Sequence, residues 1–327
     1  MARALAVRGV IEGFYGPPWS HAERLDLIRF CGEHGFTHWV HAPKDDPYHR
    51  ARWREPYPDA DLARLGELAA AADRAGVSFT YAIAPGLDLD HEREADFAAL
   101  LDKRSQVCSV GVHGFQLLWD DIESRDGAAQ AAFTNRVAAA LDQPGPLVVC
   151  PVGYAGTEST PYRRAFAPPL AAEIVVYWTG PEVVSHAIAR EELDVAVERF
   201  AGHELLLWDN YPVNDFAPET LFLGPLLGRD PRLAEGRCAG IVANAMVQAI
   251  PSKLALATVA DWARDPFGYD PLASFERAVA AYGAEVVGAL GTAPADVERP
   301  RELAGLARAL RFGVDAATAV ALLEPFV

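Results

Sequence analysis

The run GFQLLWDDI ends in two adjacent carboxylates, Asp120 and Asp121. Neighbouring carboxylates oppose each other's charge, so one of them is disposed to hold a proton and release it near neutral pH, as a general acid must. Taken alone the pair has a plainer reading, because aspartate is common at loop starts and helix N-caps. Its company argues for chemistry. Other short apolar runs also end in groups that could meet a polar ligand: Glu12, Gly13 and Tyr15; Lys44, Asp45 and Asp46; Asp88; Tyr154; Thr179; Asp209, Asn210 and Asp215; Asn244. A purely structural protein has no need of that pattern. Lys44 can donate to hydroxyl groups, with Asp45, Asp46, His49 and Arg50 expected as an ion network around it, and Trp208 and Tyr154 can offer an aromatic face or a hydroxyl. Asp215 and Asn244 have turn chemistry as their ordinary alternative.

Adjacency also restricts the reaction. Glycosidases that work with two carboxyl groups and retain configuration hold them about 5 Å apart across the sugar ring. Neighbours at one strand end cannot easily reach both faces of a glycosidic bond. They can supply one acid/base and one supporting group, with the nucleophile coming from elsewhere, including the substrate's own 2-acetamido oxygen.

The elements that would carry these groups alternate. Short strand-like runs lie at 6–14, 38–42, 78–84, 115–119, 147–152, 174–178, 205–208 and 240–243, and several of them (LLLW, IVVYW, LVVC) are continuous apolar stretches, as expected of buried parallel strands. Segments with apolar spacings of three and four lie between them, and two of these end on Gly35 and Gly76, where a helix C-cap is expected. Eight strands with intervening helices predict an α/β fold, a (β/α)8 TIM barrel, whose chemistry belongs at the carboxyl ends of the strands. An open doubly wound sheet is the alternative, but GFYGPP after the first strand is not a dinucleotide-binding glycine turn. Residues 1–250 are therefore read as a catalytic barrel and 251–327 as a C-terminal helical region packed on it. Within that region helices are expected over 253–264, 271–290 and 301–323, with a loop at 291–300.

The chain has 327 residues, is 51% hydrophobic and carries a formal charge of −16, which disfavours nucleic acid and anionic lipid as partners. Cys31, Cys108, Cys150 and Cys238 are scattered without metal-ligand spacing, so free thiols and no metal are expected. Neither a secretory h-region nor a membrane-length apolar run is present, and a cytoplasmic location is expected. Apolar positions in the alanine-rich segment 301–327 leave room for a homodimer.

The stretches RGVIEGFYGPPWS, HAPKDDPYHRARWREPYP, FTYAIAPGLD, LLWDDI, YWTGPEVV, LLWDNYPVND and ANAM…PSKLAL, in that order over roughly residues 8 to 270, closely resemble glycoside hydrolase family 84. That family contains O-GlcNAcases and bacterial β-N-acetylglucosaminidases labelled hyaluronidases. The resemblance implies a (β/α)8 barrel, no cofactor, and exo-acting release of terminal β-linked N-acetylglucosamine from a glycoconjugate or glycoprotein through an oxazoline intermediate. It makes Asp120 the residue that orients the acetamido group and Asp121 the general acid and then base. Tyr154 would bond the reacting acetamido or leaving-group region, and Trp208 and Asn210 would line the N-acetyl pocket. Gly13, Lys44, Asp215 and Asn244 would hold the sugar hydroxyls, with Tyr15 and Thr179 shaping the pocket. Two positions depart from the family pattern. Val152-Gly153 stands where Thr-Glu is common, which predicts looser support of Tyr154, and Asn244-Ala245 replaces Asn-Pro. The family's accessory modules have no counterpart here, so few contacts beyond the terminal sugar are expected. The competing readings are a non-catalytic N-acetylglucosamine-binding barrel and an endo-acting glycosaminoglycan hydrolase, the latter disfavoured because a −16 chain repels a polyanion.

Overall fold

A computed structural model describes residues 4–291 and 302–327. Eight parallel strands close in sequence order: β1 (Val7–Glu12), β2 (His38–His41), β3 (Ser78–Ile83), β4 (Gly114–Leu118), β5 (Val148–Cys150), β6 (Val175–Trp178), β7 (Leu205–Asp209) and β8 (Cys238–Asn244). The closing pair runs from Val7 opposite Gly240 to Ile11 opposite Asn244. The barrel follows from the sequence pattern, because strands apolar on both faces need cover on both.

Alternation along each strand divides that cover. Ile11, Val40, Ala82, Leu118, Tyr177, Leu206 and Val242 point inward and fill the barrel as one apolar cluster. Their neighbours Val10, Trp39, Tyr81, Leu117, Val176, Leu207 and Ile241 point outward and join the larger cluster beneath the helices.

The outer layer comprises α1 (His21–Glu33), α2 (Asp59–Arg74), α3 (Glu94–Cys108), α4 (Gly127–Ala140), α5 (Pro161–Phe166), α6 (Arg190–Arg199) and α7 (Ala249–Arg264). Local chemistry sets their ends. Ser20 and Glu23 form a reciprocal capping box on α1, and Thr160 caps α5 ahead of Pro161. Gly35 and Gly76, just past α1 and α2, take φ of +72° and +70°, the left-handed geometry that made glycine the expected residue there.

The seventh crossover departs from the expected alternation. Between β7 and β8 the chain forms only a 3₁₀ turn at Pro231–Glu235. Pro212, Pro218, Pro225 and Pro231, with Gly224 and Gly228, leave no uninterrupted stretch for an α-helix. The segment runs instead over the carboxyl end of the barrel.

Beyond α7 lie α8 (Pro271–Leu290), α9 (Leu303–Ala309) and α10 (Ala316–Leu323). Helix α8 packs on α7 and α10, while the buried Lys253 ammonium ties α7 to Asp26 of α1 at 2.6 Å and to Glu285 of α8 at 2.7 Å. The stretch expected as one helix over 301–323 is therefore two. They are separated where Gly313 takes φ +83° and Val314 exchanges backbone hydrogen bonds with Leu221 at 2.7 and 3.1 Å. The loop expected at 291–300 falls, apart from residue 291, outside the described residues. No helix among the described residues is long and apolar enough to cross a membrane.

Candidate active site

A cavity of ≈310 Å³ opens at the carboxyl ends of the strands, at the small end of ligand pockets (about 300–1,000 Å³) and suited to one sugar residue. The eleven residues to which the family resemblance gives roles all line it. Gly13 and Tyr15 follow β1, Lys44 follows β2, Asp120 and Asp121 follow β4, and Tyr154 follows β5. Thr179 follows β6, Trp208 is the penultimate residue of β7 with Asn210 and Asp215 beyond it, and Asn244 ends β8. Cys150, Val183, Val184, Val213 and Phe216 complete the wall and were not anticipated. A larger cavity of ≈590 Å³ lies at the opposite end, among strand starts such as Val7, Ser78 and Gly114, away from the carboxylate pair.

Asp120 is 5% exposed, and its Oδ2 accepts from the buried Lys44 ammonium. Its other oxygen, Oδ1, is buried with no partner among the described residues. A carboxylate oxygen left bare at a pocket wall is costly unless a ligand donor completes it. Lys44 is also held 5.5 Å from the centre of the Trp208 ring. The expected ion network around Lys44 does not form. Asp46 instead accepts from the Tyr57 hydroxyl at 2.7 Å and the Tyr48 amide at 2.8 Å, and Asp45 is exposed. His49 pairs through Nδ1 with the Ala82 carbonyl at 2.7 Å; burial, with Lys44 second, lowers its pKa to about 3 and keeps the ring neutral.

Asp121 is exposed and sits at φ +55°, a conformation uncommon for a residue with a Cβ and often found at functional sites. The Arg50 guanidinium holds the turn, donating to the Asp121 carbonyl at 2.9 Å. Two phenols then orient the carboxylate, Tyr154 donating to Oδ1 at 2.8 Å and Tyr15 to Oδ2 at 2.9 Å. Burial, reinforced by the adjacent Asp121 charge, pushes both phenols well above their ordinary pKa, so they remain neutral donors. The pair is thus divided by environment. Asp120 is enclosed and ion-paired, whereas Asp121 is exposed and held by neutral donors.

Opposite the pair, Asn210 Oδ1 accepts from Trp208 Nε1 at 3.1 Å and from Asn244 Nδ2 at 3.0 Å, while Asn244 Oδ1 accepts from the Gly13 amide at 3.2 Å. Asp215 accepts from the Tyr15 amide at 2.8 Å, linking the β1 and β7 loops across the mouth. Gly13 has a steric reason to be glycine, since an added Cβ would stand 2.6 Å from the Trp208 ring. Thr179 is committed to the Glu182 carbonyl at 2.8 Å and shapes the β6 loop.

Support for Tyr154 comes from a source that the Val152-Gly153 departure had not suggested. The buried Arg163 guanidinium of α5 donates to the carbonyls of Gly153, Ala155, Gly156 and Glu158, at distances from 2.5 to 3.0 Å. Gly153 leaves room for this packing, because a Cβ there would meet the Tyr162 ring at 3.0 Å. Other polar strand ends prove structural. Glu12 pairs with Arg24 of α1, Asp88 with Trp53 and Arg54, and Asp209 with Arg229.

Fold and pocket together define a (β/α)8 barrel with an acid–base site for a small polar ligand. The sequence profile described as beta-N-acetylglucosaminidase matches residues 8–292. Protein O-GlcNAcase of Rattus norvegicus is 35% identical over 271 residues, covering 78% of this chain and 29% of the relative, and that of Mus musculus matches equally. Among solved structures, CpGH84B superposes with a TM-score of 0.82 at 37% identity, covering 86% of this chain and 52% of that one. An O-GlcNAc hydrolase mutant of Thermobaculum terrenum gives 0.80 at 34% identity, covering 88% and 66%. The chain belongs to the β-N-acetylglucosaminidase family, glycoside hydrolase family 84. It spans less than a third of the length of the curated relatives it matches.

Proposed function

We propose that this chain is a retaining exo-β-N-acetylglucosaminidase acting by substrate assistance, with a protein bearing β-linked N-acetylglucosamine as the substrate class that the relatives' names favour. The observation that carries the reading is the bare, buried Oδ1 of Asp120 beside an oriented Asp121. An acetamide N–H donated to that oxygen would complete its hydrogen bonding. It would also turn the acetamide carbonyl oxygen toward the anomeric carbon.

In the first step that oxygen bonds to C1 while the bond from C1 to the leaving oxygen breaks. Protonated Asp121 transfers its proton to the departing oxygen, and the negative Asp120 stabilises the positive charge that develops on the oxazoline ring. In the second step Asp121, now a carboxylate, takes a proton from water as the water oxygen bonds to C1. The ring opens, and two inversions return the β-configuration. The buried Lys44 ammonium pairs with Asp120 and fixes its orientation. Asn210, Asp215 and Asn244 are the groups placed for the sugar and its N-acetyl substituent.

The experiment is release of 4-nitrophenol from its N-acetyl-β-glucosaminide, with the product followed by proton NMR. The β-anomer should appear first and mutarotate afterwards. No turnover between pH 4 and 8, or initial formation of the α-anomer, would sink the proposal.

A further inference from the structure

A second cavity, ≈330 Å³, adjoins the sugar pocket and shares Val184, Asn210, Val213 and Phe216 with it. Its far wall comes from outside the eight-stranded unit. Arg311 and Phe312, between α9 and α10, are set there by the backbone pairing of Val314 with Leu221. We propose that this cavity is the aglycone subsite, and that it takes a polypeptide segment presenting a large apolar side chain and a carboxylate next to the glycosylated residue. The inference rests on the hydrolytic reading above.

The wall chemistry selects the occupant. Phe216 is 61% exposed and Phe312 75% exposed, with Val184 between the two cavities and Phe222 5.9 Å from Phe216. Exposed aromatic side chains grouped around one cleft are a recognised mark of a binding surface. Most polar groups around the cleft are already used. Ser185 donates to the Thr179 and Glu182 carbonyls, Tyr211 donates to the Gly224 carbonyl, Arg229 is paired with Asp209, and Asn210 belongs to the sugar pocket. A second pyranose would bring several hydroxyl groups to walls with few free partners, which disfavours a chitin-like aglycone. Arg311 is exposed, has no carboxylate partner among the described residues, and lies 5.3 Å from the Phe312 ring centre. On a chain of net charge −16 it is a local cation at the mouth of the site, suited to a carboxylate of the substrate. The segment between α9 and α10 thereby becomes part of the specificity surface, contrary to the expectation of few contacts beyond the terminal sugar.

The test compares kcat/KM for chitobiose and three further substrates. Two are serine-linked N-acetylglucosamine peptides, one flanked by Phe and Glu and the other by Ala and Lys; the third is 4-nitrophenyl N-acetyl-β-glucosaminide, which has no extended aglycone. The Phe/Glu peptide should be preferred by about tenfold or more, as expected of aromatic and arginine contacts at a binding centre. Arg311→Glu should abolish or invert that preference and Phe312→Ala should reduce it, while both variants stay within about twofold of wild type on the nitrophenyl sugar. Fluorescence anisotropy of labelled peptides reads the cleft apart from turnover. Equal kcat/KM for the two peptides, or faster cleavage of chitobiose than of either, overturns the subsite. Selective peptide binding without hydrolysis of any substrate would sustain the cleft and refute the hydrolytic reading.

Discussion

Asp121→Ala is expected to lower turnover of an unactivated O-linked N-acetylglucosamine substrate by about 10²–10⁴-fold, the usual contribution of a positioned general acid or base. Asp121 can fill both roles because Tyr15 and Tyr154 fix its two oxygens while leaving the group open to solvent. The loss should depend on the leaving group. Nitrophenolate departs without protonation, so the first step on a nitrophenyl sugar suffers less and the hydrolytic step becomes limiting. Added azide, which attacks carbon without losing a proton, should then restore the rate and give the β-glycosyl azide. Folding should be little changed, since the side chain is at the surface and closes no ion pair among the described residues. Equal losses on good and poor leaving groups, with no azide product, would count against the acid/base role.

Asp120→Asn is expected to damage both catalysis and stability, for two separable reasons. On the proposed mechanism, neutralising the group removes the charge that steadies the oxazoline, a loss of the size seen when an electrostatic stabiliser is removed, about 10²–10³-fold in kcat. It also strands the Lys44 ammonium, whose side chain is 1% exposed, with no counter-charge. Removing one partner of a buried pair costs about 3–5 kcal/mol, and the open pocket above favours the lower end of that range. The double variant Asp120→Asn/Lys44→Met separates the effects. Thermal unfolding should return toward wild type while activity stays lost. Recovery of activity together with stability would show that Asp120 serves only to satisfy Lys44.

How much of this was legible beforehand depended on a period of two. The strands were readable because each is a short, largely apolar run, β-branched in most cases though not in β4 or β7, and eight of them separated by amphipathic segments admit few arrangements. The residues that line the cavity were readable because most of them lie where such a run turns polar. Position alone could not separate cavity-lining groups from framework, and Asp209 and Glu12 looked as promising as Trp208 and Gly13. Alternation separates them. Gly13, Lys44, Asp120, Thr179, Asn210 and Asn244 are each two residues beyond an inward-facing Ile11, Ala42, Leu118, Tyr177, Trp208 or Val242. Glu12 and Asp209 fall on the odd positions and meet Arg24 and Arg229 outside the barrel. The same parity marks Cys150, which lines the pocket.

Two features were not legible in this way. The crossover without a helix could be suspected from its prolines, but its course over the barrel mouth is tertiary. The cage around Tyr154 depends on Arg163, nine positions later, meeting carbonyl groups that no side-chain pattern records.

The central claim is that the substrate's acetamide, held by Asp120, is the nucleophile. It is tested most directly by 4-nitrophenyl β-glucosaminides carrying acetyl, fluoroacetyl, difluoroacetyl and trifluoroacetyl groups on nitrogen. Fluorine withdraws electron density from the carbonyl oxygen and scarcely alters the leaving group. If the acetamide attacks, kcat/KM falls at every step, by roughly a thousandfold across the series, equivalent to about 4 kcal/mol of barrier. Rates that hold level across the four substrates would mean that another group attacks C1, and the division of labour between Asp120 and Asp121 would have to be abandoned.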